Sequence, residues 1–179
     1  MTAQPQPSTA VSILAMLTAF ILQITLAPNI AIAEVIVEFT FCCSLAIAFR
    51  FSQTTATLCA FLLGFLVDLT CGSPLGIRAL AYCLAAFTLA RLANTSPLES
   101  LAARYLAMVV LLFAGSVLIA LFMSIVGFDM DLGYSLVNRA LPGGLYNSVA
   151  GLLFLPLVNP SGGIRKPDSK PLKESLPPV

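Results

Sequence analysis

The chain has 179 residues, of which 59% are hydrophobic and only 9% are charged, and its net charge is +1. A water-soluble domain carries about 25% charged residues, so this composition excludes a soluble fold and predicts a membrane protein. The near-neutral charge gives no basic surface for nucleic acid, and the absence of histidine removes the most frequent general base and metal ligand, so we expect no catalytic site, cofactor or metal centre.

Six apolar segments follow one another, and each approaches the length of about 20 residues that a membrane-spanning helix needs. We expect them at about residues 10–26, 30–51, 54–70, 75–92, 102–126 and 141–158. The sequence therefore predicts an all-α integral membrane protein, with a six-transmembrane-helix bundle over residues 10–158. A flexible tail over residues 1–9 and a disordered basic tail over residues 159–179 are expected to flank it.

The arginines indicate how such a bundle is oriented. With six spans, both termini lie on one side, together with Arg50, Arg91, Arg104 and the basic C-terminal tail. The other side holds only Arg78 and Arg139. Because loops rich in Lys and Arg remain in the cytoplasm, we expect both termini to be cytoplasmic. The basic residues there would meet anionic lipid headgroups.

A carboxylate with a glycine four residues away on each side marks the end of the third segment. Gly64, Asp68 and Gly72 have the spacing of one helix face. A charge close to lipid is costly unless its face packs on protein or lines a polar cavity. We expect Asp68 to lie in such a place, with Arg78 as its partner.

The expected topology brings two further carboxylates to the same membrane surface. Glu34 and Glu38 begin the second segment, near Asp68 and Arg78. Opposite charges there can satisfy each other. The alternative is that Glu34 and Glu38 lie among lipid headgroups. For Asp68 this alternative is weaker, because glycines flank it on its own face.

Small residues four apart mark two more helix faces. Ala15 and Ala19 lie on the first segment, and Gly143, Asn147 and Gly151 lie on the sixth. Such residues let helix backbones approach closely in lipid, and an asparagine within a span needs a hydrogen-bond partner. These faces could pack within the bundle or against another chain, as could the face of Gly64 and Gly72.

The run from Gly64 to Arg78 resembles the signature of the rod-shape-determining MreD family. In that signature a glycine and three apolar residues precede an Asp-Leu pair, here at Asp68. A later glycine is followed by a Leu-Gly pair, here Leu75 and Gly76, and often by an arginine. The chain length, the number of apolar segments and the short tails also resemble this family.

The resemblance implies a function and a location. It implies a non-catalytic scaffold in the bacterial inner membrane that binds MreC. With MreC, it would help to organise the peptidoglycan synthase pair RodA and PBP2 along the MreB filament.

The resemblance also implies a fold similar to the S-components of energy-coupling-factor vitamin transporters. That likeness gives the alternative function, a substrate-binding S-component. Such a protein docks its partner through an Ala-xxx-Ala face, which Ala15 and Ala19 would fit, and needs a polar pocket near the outer surface. The chain has few polar residues outside the group of Glu34, Glu38, Asp68 and Arg78, which favours the scaffold.

Overall fold

The computed structural model describes residues 9–31, 35–72, 74–95, 100–127, 133 and 136–154, and the regular structure in these residues is all helical. The predicted all-α class is therefore confirmed. The six α-helices in this part of the chain are α1 (Thr9–Thr25), α2 (Phe39–Ala48), α3 (Gln53–Cys71), α4 (Ile77–Thr95), α5 (Leu101–Ile125) and α6 (Leu141–Gly151). The expected tails over residues 1–9 and 159–179 lie outside the described residues, except for Thr9.

Serine side chains and a glycine define several of the helix ends. Ser52 and Ser100 precede α3 and α5, and each side-chain oxygen accepts a hydrogen bond from the backbone N–H three residues later, at 3.3 and 3.1 Å. These amides would otherwise lack a partner within the helix. Gly72 ends α3 with a left-handed backbone, at φ +64°, a conformation that a glycine adopts without strain.

The second helix is shorter than the sequence predicts. The apolar run suggested a helix from about residue 30, but α2 begins at Phe39. A 3₁₀ turn over Ala27–Ile30 precedes it, and the described residues 35–38 are not helical. In this segment, side chains that are distant in sequence, Gln23 and Asn147, form hydrogen bonds with backbone groups that a helix would pair internally. The sixth segment is also shorter, since α6 ends at Gly151 and a 3₁₀ turn over Leu152–Phe154 follows.

Helix α2 forms the centre of the bundle. All ten of its residues are buried, and it contacts each of the other five helices. Its Phe41 ring stacks on Tyr82 of α4, with 4.5 Å between ring centroids. A helix that is apolar on all sides belongs in a core. The other helices therefore surround α2, and α3 and α4 pack closely against each other.

The outer surface of the bundle is apolar as well. Large side chains such as Leu14, Leu106 and Leu145 are more than 60% exposed. Helices α3 and α5 are long and apolar enough to cross a membrane. At 1.5 Å per residue, the 19 residues of α3 extend about 28 Å, close to the thickness of the hydrocarbon core of a bilayer. An apolar outer surface of this kind suits contact with lipid. That the chain crosses the membrane six times, and that both termini are cytoplasmic, remain predictions.

Candidate functional site

Asp68 joins α3 to the beginning of α4. Its Oδ2 atom accepts hydrogen bonds from the backbone N–H groups of Gly76, Arg78 and Ala79, at 2.9, 3.1 and 3.3 Å. The first amides of a helix have no partner within the helix, and Gly76 has no side chain that could supply one. The Asp68 carboxylate therefore caps α4 from the neighbouring helix, at the end where a helix favours negative charge.

Gly64 allows the two helices to come close enough for this cap. A Cβ atom at Gly64 would lie 2.7 Å from the Ala79 Cα atom and 2.8 Å from the Arg78 carbonyl oxygen. Any side chain there would push α4 away from Asp68. Gly64 and Asp68 share the face toward α4, as their spacing suggested. Gly72 lies beyond the helix end and is exposed, so it does not belong to that face.

Arg78 connects two carboxylates that come from different parts of the chain. Its Nη1 atom lies 3.6 Å from Oδ1 of Asp68, and its Nε atom donates a hydrogen bond to Oε1 of Glu38 at 3.1 Å. Asp68 is only 1% exposed, and Glu38 and Arg78 are half-buried. We call these three residues the charge cluster. Glu34, the other carboxylate considered from the sequence, lies outside the described residues.

Gln23 of α1 supports the non-helical segment that carries Glu38. Its side-chain amide donates to the Val37 carbonyl oxygen at 3.1 Å and accepts from the Thr40 N–H at 3.4 Å. Non-helical backbone at membrane depth requires such internal partners, because lipid offers none. Gln23 was not among the residues expected from the sequence to have a structural role. A glutamine within an apolar span was the signal that could have found it, because a polar side chain there needs a partner.

Asn147 of α6 holds the same segment from the other side. Its Oδ1 atom accepts a hydrogen bond from the backbone N–H of Glu38 at 2.7 Å. The neighbouring Tyr146 hydroxyl donates to the Ile30 carbonyl oxygen at 2.8 Å. Asn147 is 2% exposed, so its partner lies within this chain. Helices α1 and α6 together fix the position of Glu38 beside Arg78.

The small residues singled out in the sequence mostly face neighbouring helices of the same chain. A Cβ atom at Gly151 would approach the Met108 side chain of α5 to 3.0 Å. Ala19 is fully buried, and Ala15 packs partly buried against the core. At Gly143 a Cβ atom would meet only Val35, at an ordinary contact distance of 3.5 Å. These surfaces are largely used inside the bundle.

A cavity of about 330 Å³ lies beside the charge cluster. Glu38, Arg78, Arg139, Gln23 and Ser116 give it polar walls, and the remaining lining is largely apolar, including Ala120. The lining comes from the ends of α1 and α3, the second half of α5 and the beginnings of α4 and α6, so the cavity lies at one end of the bundle. We call this the cluster end.

No group of three or more cysteine or carboxylate side chains suited to a metal ion occurs among the residues that the structure describes. The cluster is instead held by an ion pair and by backbone hydrogen bonds. An all-helical bundle with an apolar outer surface, buried non-helical backbone and a charge cluster at one end is the architecture of an integral membrane protein.

Comparison with known families identifies the group more closely. The family model described as rod shape-determining protein MreD matches residues 8–160, which is most of the chain, so the chain belongs to the MreD family. The resemblance seen in the run from Gly64 to Arg78 is therefore confirmed. The family is a membrane family with a role in rod-shape determination. Neither the curated proteins nor the solved structures contain a match to the chain.

Proposed function

We propose that this chain is a non-catalytic scaffold of the bacterial cell-elongation machinery in the inner membrane. In this role it binds a single-span protein of the MreC type. Through that protein it helps to organise the synthase pair RodA and PBP2 along the MreB filament. The observation that carries this proposal is the MreD family match over residues 8–160.

The packing of the bundle supports a rigid platform. Gly64 and Gly151 bring helices of the same chain together, and Asp68 ties α3 to α4. Because these close-approach surfaces are used internally, the partner has to contact side chains that remain exposed.

Leu75 is the exposed side chain that best fits a partner contact. It lies in the turn between α3 and α4, next to Gly76, and is 64% exposed. The other family-signature residues have structural roles: Gly64 permits close packing, Asp68 caps α4, and Gly76 has a positive φ of 97°. Leu75, in contrast, has no packing or capping role in the turn between α3 and α4. We infer that this leucine is presented to the partner by a turn that the charge cluster holds in place.

Co-purification tests this function directly. The tagged chain is expressed with an MreC-type protein and isolated in mild detergent, and the recovered partner is quantified. Leu75→Ser should weaken the affinity for the partner about tenfold, which corresponds to losing the burial of one leucine side chain, and recovery should fall accordingly. Leu69→Ser is the matched control, because Leu69 is 53% exposed on the side of α3. Equal recovery with both variants would exclude Leu75 as the contact, and no recovery with the unaltered chain would refute partner binding itself.

The alternative, a small-molecule carrier of the S-component class, is favoured only by the cavity at the cluster end. Mass spectrometry of the purified chain distinguishes the two functions. A water-soluble vitamin that co-purifies in stoichiometric amount would support the carrier. Recovery of the MreC-type protein without such a molecule supports the scaffold.

A further inference from the structure

Glu38 has one carboxylate oxygen that the charge cluster does not use. Its Oε1 atom accepts from Arg78, whereas Oε2 is buried and has no hydrogen-bond partner within the described part of the chain. A buried acceptor without a partner is costly. Glu38 also lines the cavity, and the last torsion of a glutamate side chain is soft. The carboxylate can therefore turn Oε2 toward a donor in the cavity, which would remove this cost.

The charged groups of the cavity wall favour a donor that is neutral. Among the described residues, the lining holds the carboxylate of Glu38 and the guanidinium groups of Arg78 and Arg139. A cation would face two groups of its own sign, and an anion would be repelled by the oxygen that needs a donor. Arg78 is already paired with Glu38 and Asp68. Arg139 has an interaction of its own within the chain, so we assign a ligand contact to neither arginine.

Ser116 indicates what kind of neutral donor suits the cavity. This residue of α5 adds a hydroxyl group to the wall, and a hydroxyl group both donates and accepts hydrogen bonds. A ligand with neighbouring hydroxyl groups can donate to Oε2 of Glu38 through one and exchange a hydrogen bond with Ser116 through another. The apolar side chains of Ile119 and Met123 in the same wall suit the C–H groups of such a ligand. These features together fit a polyol.

The position of the cavity indicates where a polyol would come from. Cys71, the last residue of α3, lines the cavity, and α3 has about the length of the hydrocarbon core. A helix of this length that crosses the bilayer ends at the level of the lipid headgroups, where glycerol and sugar groups occur. The volume of about 330 Å³ lies in the range of small-ligand pockets, about 300–1,000 Å³.

We propose that the cavity at the cluster end binds the polyol headgroup of a lipid, with one hydroxyl group donating to Oε2 of Glu38. The ion pairs of Arg78 remain as they are, and no charge on the ligand is required. This site is separate from the partner contact proposed at Leu75, so either proposal can fail without the other.

Native mass spectrometry of the full-length chain in detergent tests the site. Phosphatidylglycerol and phosphatidylethanol are titrated separately, because both carry the same phosphate charge but only the glycerol headgroup has hydroxyl groups. We expect phosphatidylglycerol to bind about tenfold more tightly, which is the lower end of what a hydrogen bond to a charged group contributes. Equal binding of the two lipids, or no binding of either, would overturn the proposal.

Two variants and a matched control locate the binding. Glu38→Gln keeps an oxygen for Arg78 but replaces the charged acceptor with a neutral amide, so the preference for phosphatidylglycerol should fall to about threefold or less. Ala120→Leu fills the cavity and leaves the charge cluster unchanged, so it should abolish the preference even if Glu38→Gln does not fold. Ala114→Leu makes the same change on the exposed side of α5 and should have no effect. An unaltered preference in Ala120→Leu would place the lipid elsewhere.

Glycerophosphoglycerol, which is the same headgroup without acyl chains, distinguishes a lipid from a soluble polyol. Because the acyl chains add apolar contact, the lipid should bind more tightly than its isolated headgroup. Glycerophosphoglycerol that binds as tightly as phosphatidylglycerol would identify a soluble ligand and overturn the lipid assignment.

Discussion

Replacing Asp68 with alanine removes the group that ties α3 to α4. The variant loses three hydrogen bonds to backbone N–H groups of α4 and the contact of 3.6 Å with the Arg78 guanidinium. Loss of a helix cap costs about 0.5–2 kcal/mol. Loss of one partner of a buried ion pair costs about 3–5 kcal/mol. These contributions overlap, and Arg78 retains Glu38, so we expect Asp68→Ala to lower the free energy of unfolding by about 3 kcal/mol.

Asp68→Asn is the matched variant, since its side-chain oxygen can still accept from the amides of α4. It loses the charge, and a hydrogen bond to a charged group is worth about 1 kcal/mol more than a neutral one. We expect Asp68→Asn to lose about 1–2 kcal/mol. Fluorescence-detected size-exclusion chromatography after stepwise heating gives the melting temperature of each variant in detergent. Three equal melting temperatures, for the unaltered chain and both variants, would refute the cap.

Three further predictions concern packing, buried polar groups and topology. Gly64→Ala should lower the melting temperature, since overpacking costs about 1–3 kcal/mol. Gly143→Ala is the control and should change it little, because a Cβ atom there has room. A larger loss with Gly143→Ala than with Gly64→Ala would contradict the close contact between α3 and α4. Gln23→Leu leaves the Val37 carbonyl and the Thr40 N–H without the Gln23 side chain as a partner, and it should lower the free energy of unfolding by about 1–3 kcal/mol. The same heating assay measures this loss. An unchanged melting temperature would show that Gln23 does not support the non-helical segment that carries Glu38. Reporter fusions at residue 2 and after residue 161 should both give cytoplasmic signals, and opposite signals would exclude an even number of spans.

Most of the helical segments could be predicted from local sequence. The apolar runs set the approximate extent of α1, α3, α4 and α5, because glycine, proline and serine residues interrupt them where the backbone needs a cap or a turn. The proximity of Asp68 and Arg78 also followed from local features, since a short turn separates the helices that carry them. Local hydrophobicity and turn residues are therefore sufficient to predict where these helices begin and end and which residues a short turn brings together.

Features that depend on distant contacts could not be predicted. The residues before Phe39 are as apolar as those after it, and α2 begins late because Gln23 and Asn147, remote in sequence, satisfy the backbone there. The spacing of Gly64 indicated close helix contact, but no local pattern specifies whether the neighbour is α4 of the same chain or another protein. The structure assigns that surface to α4.

The proposed contact between Leu75 and an MreC-type protein can be tested by site-specific photo-crosslinking in growing cells. A photoreactive amino acid replaces Leu75, and a second strain carries it at Leu106, which is similarly exposed at 63% but lies on the first half of α5. If the chain is such a scaffold, we expect a crosslink from position 75 to the single-span partner and a much weaker one from position 106. Equal crosslinks from both positions, or none from position 75, would contradict it.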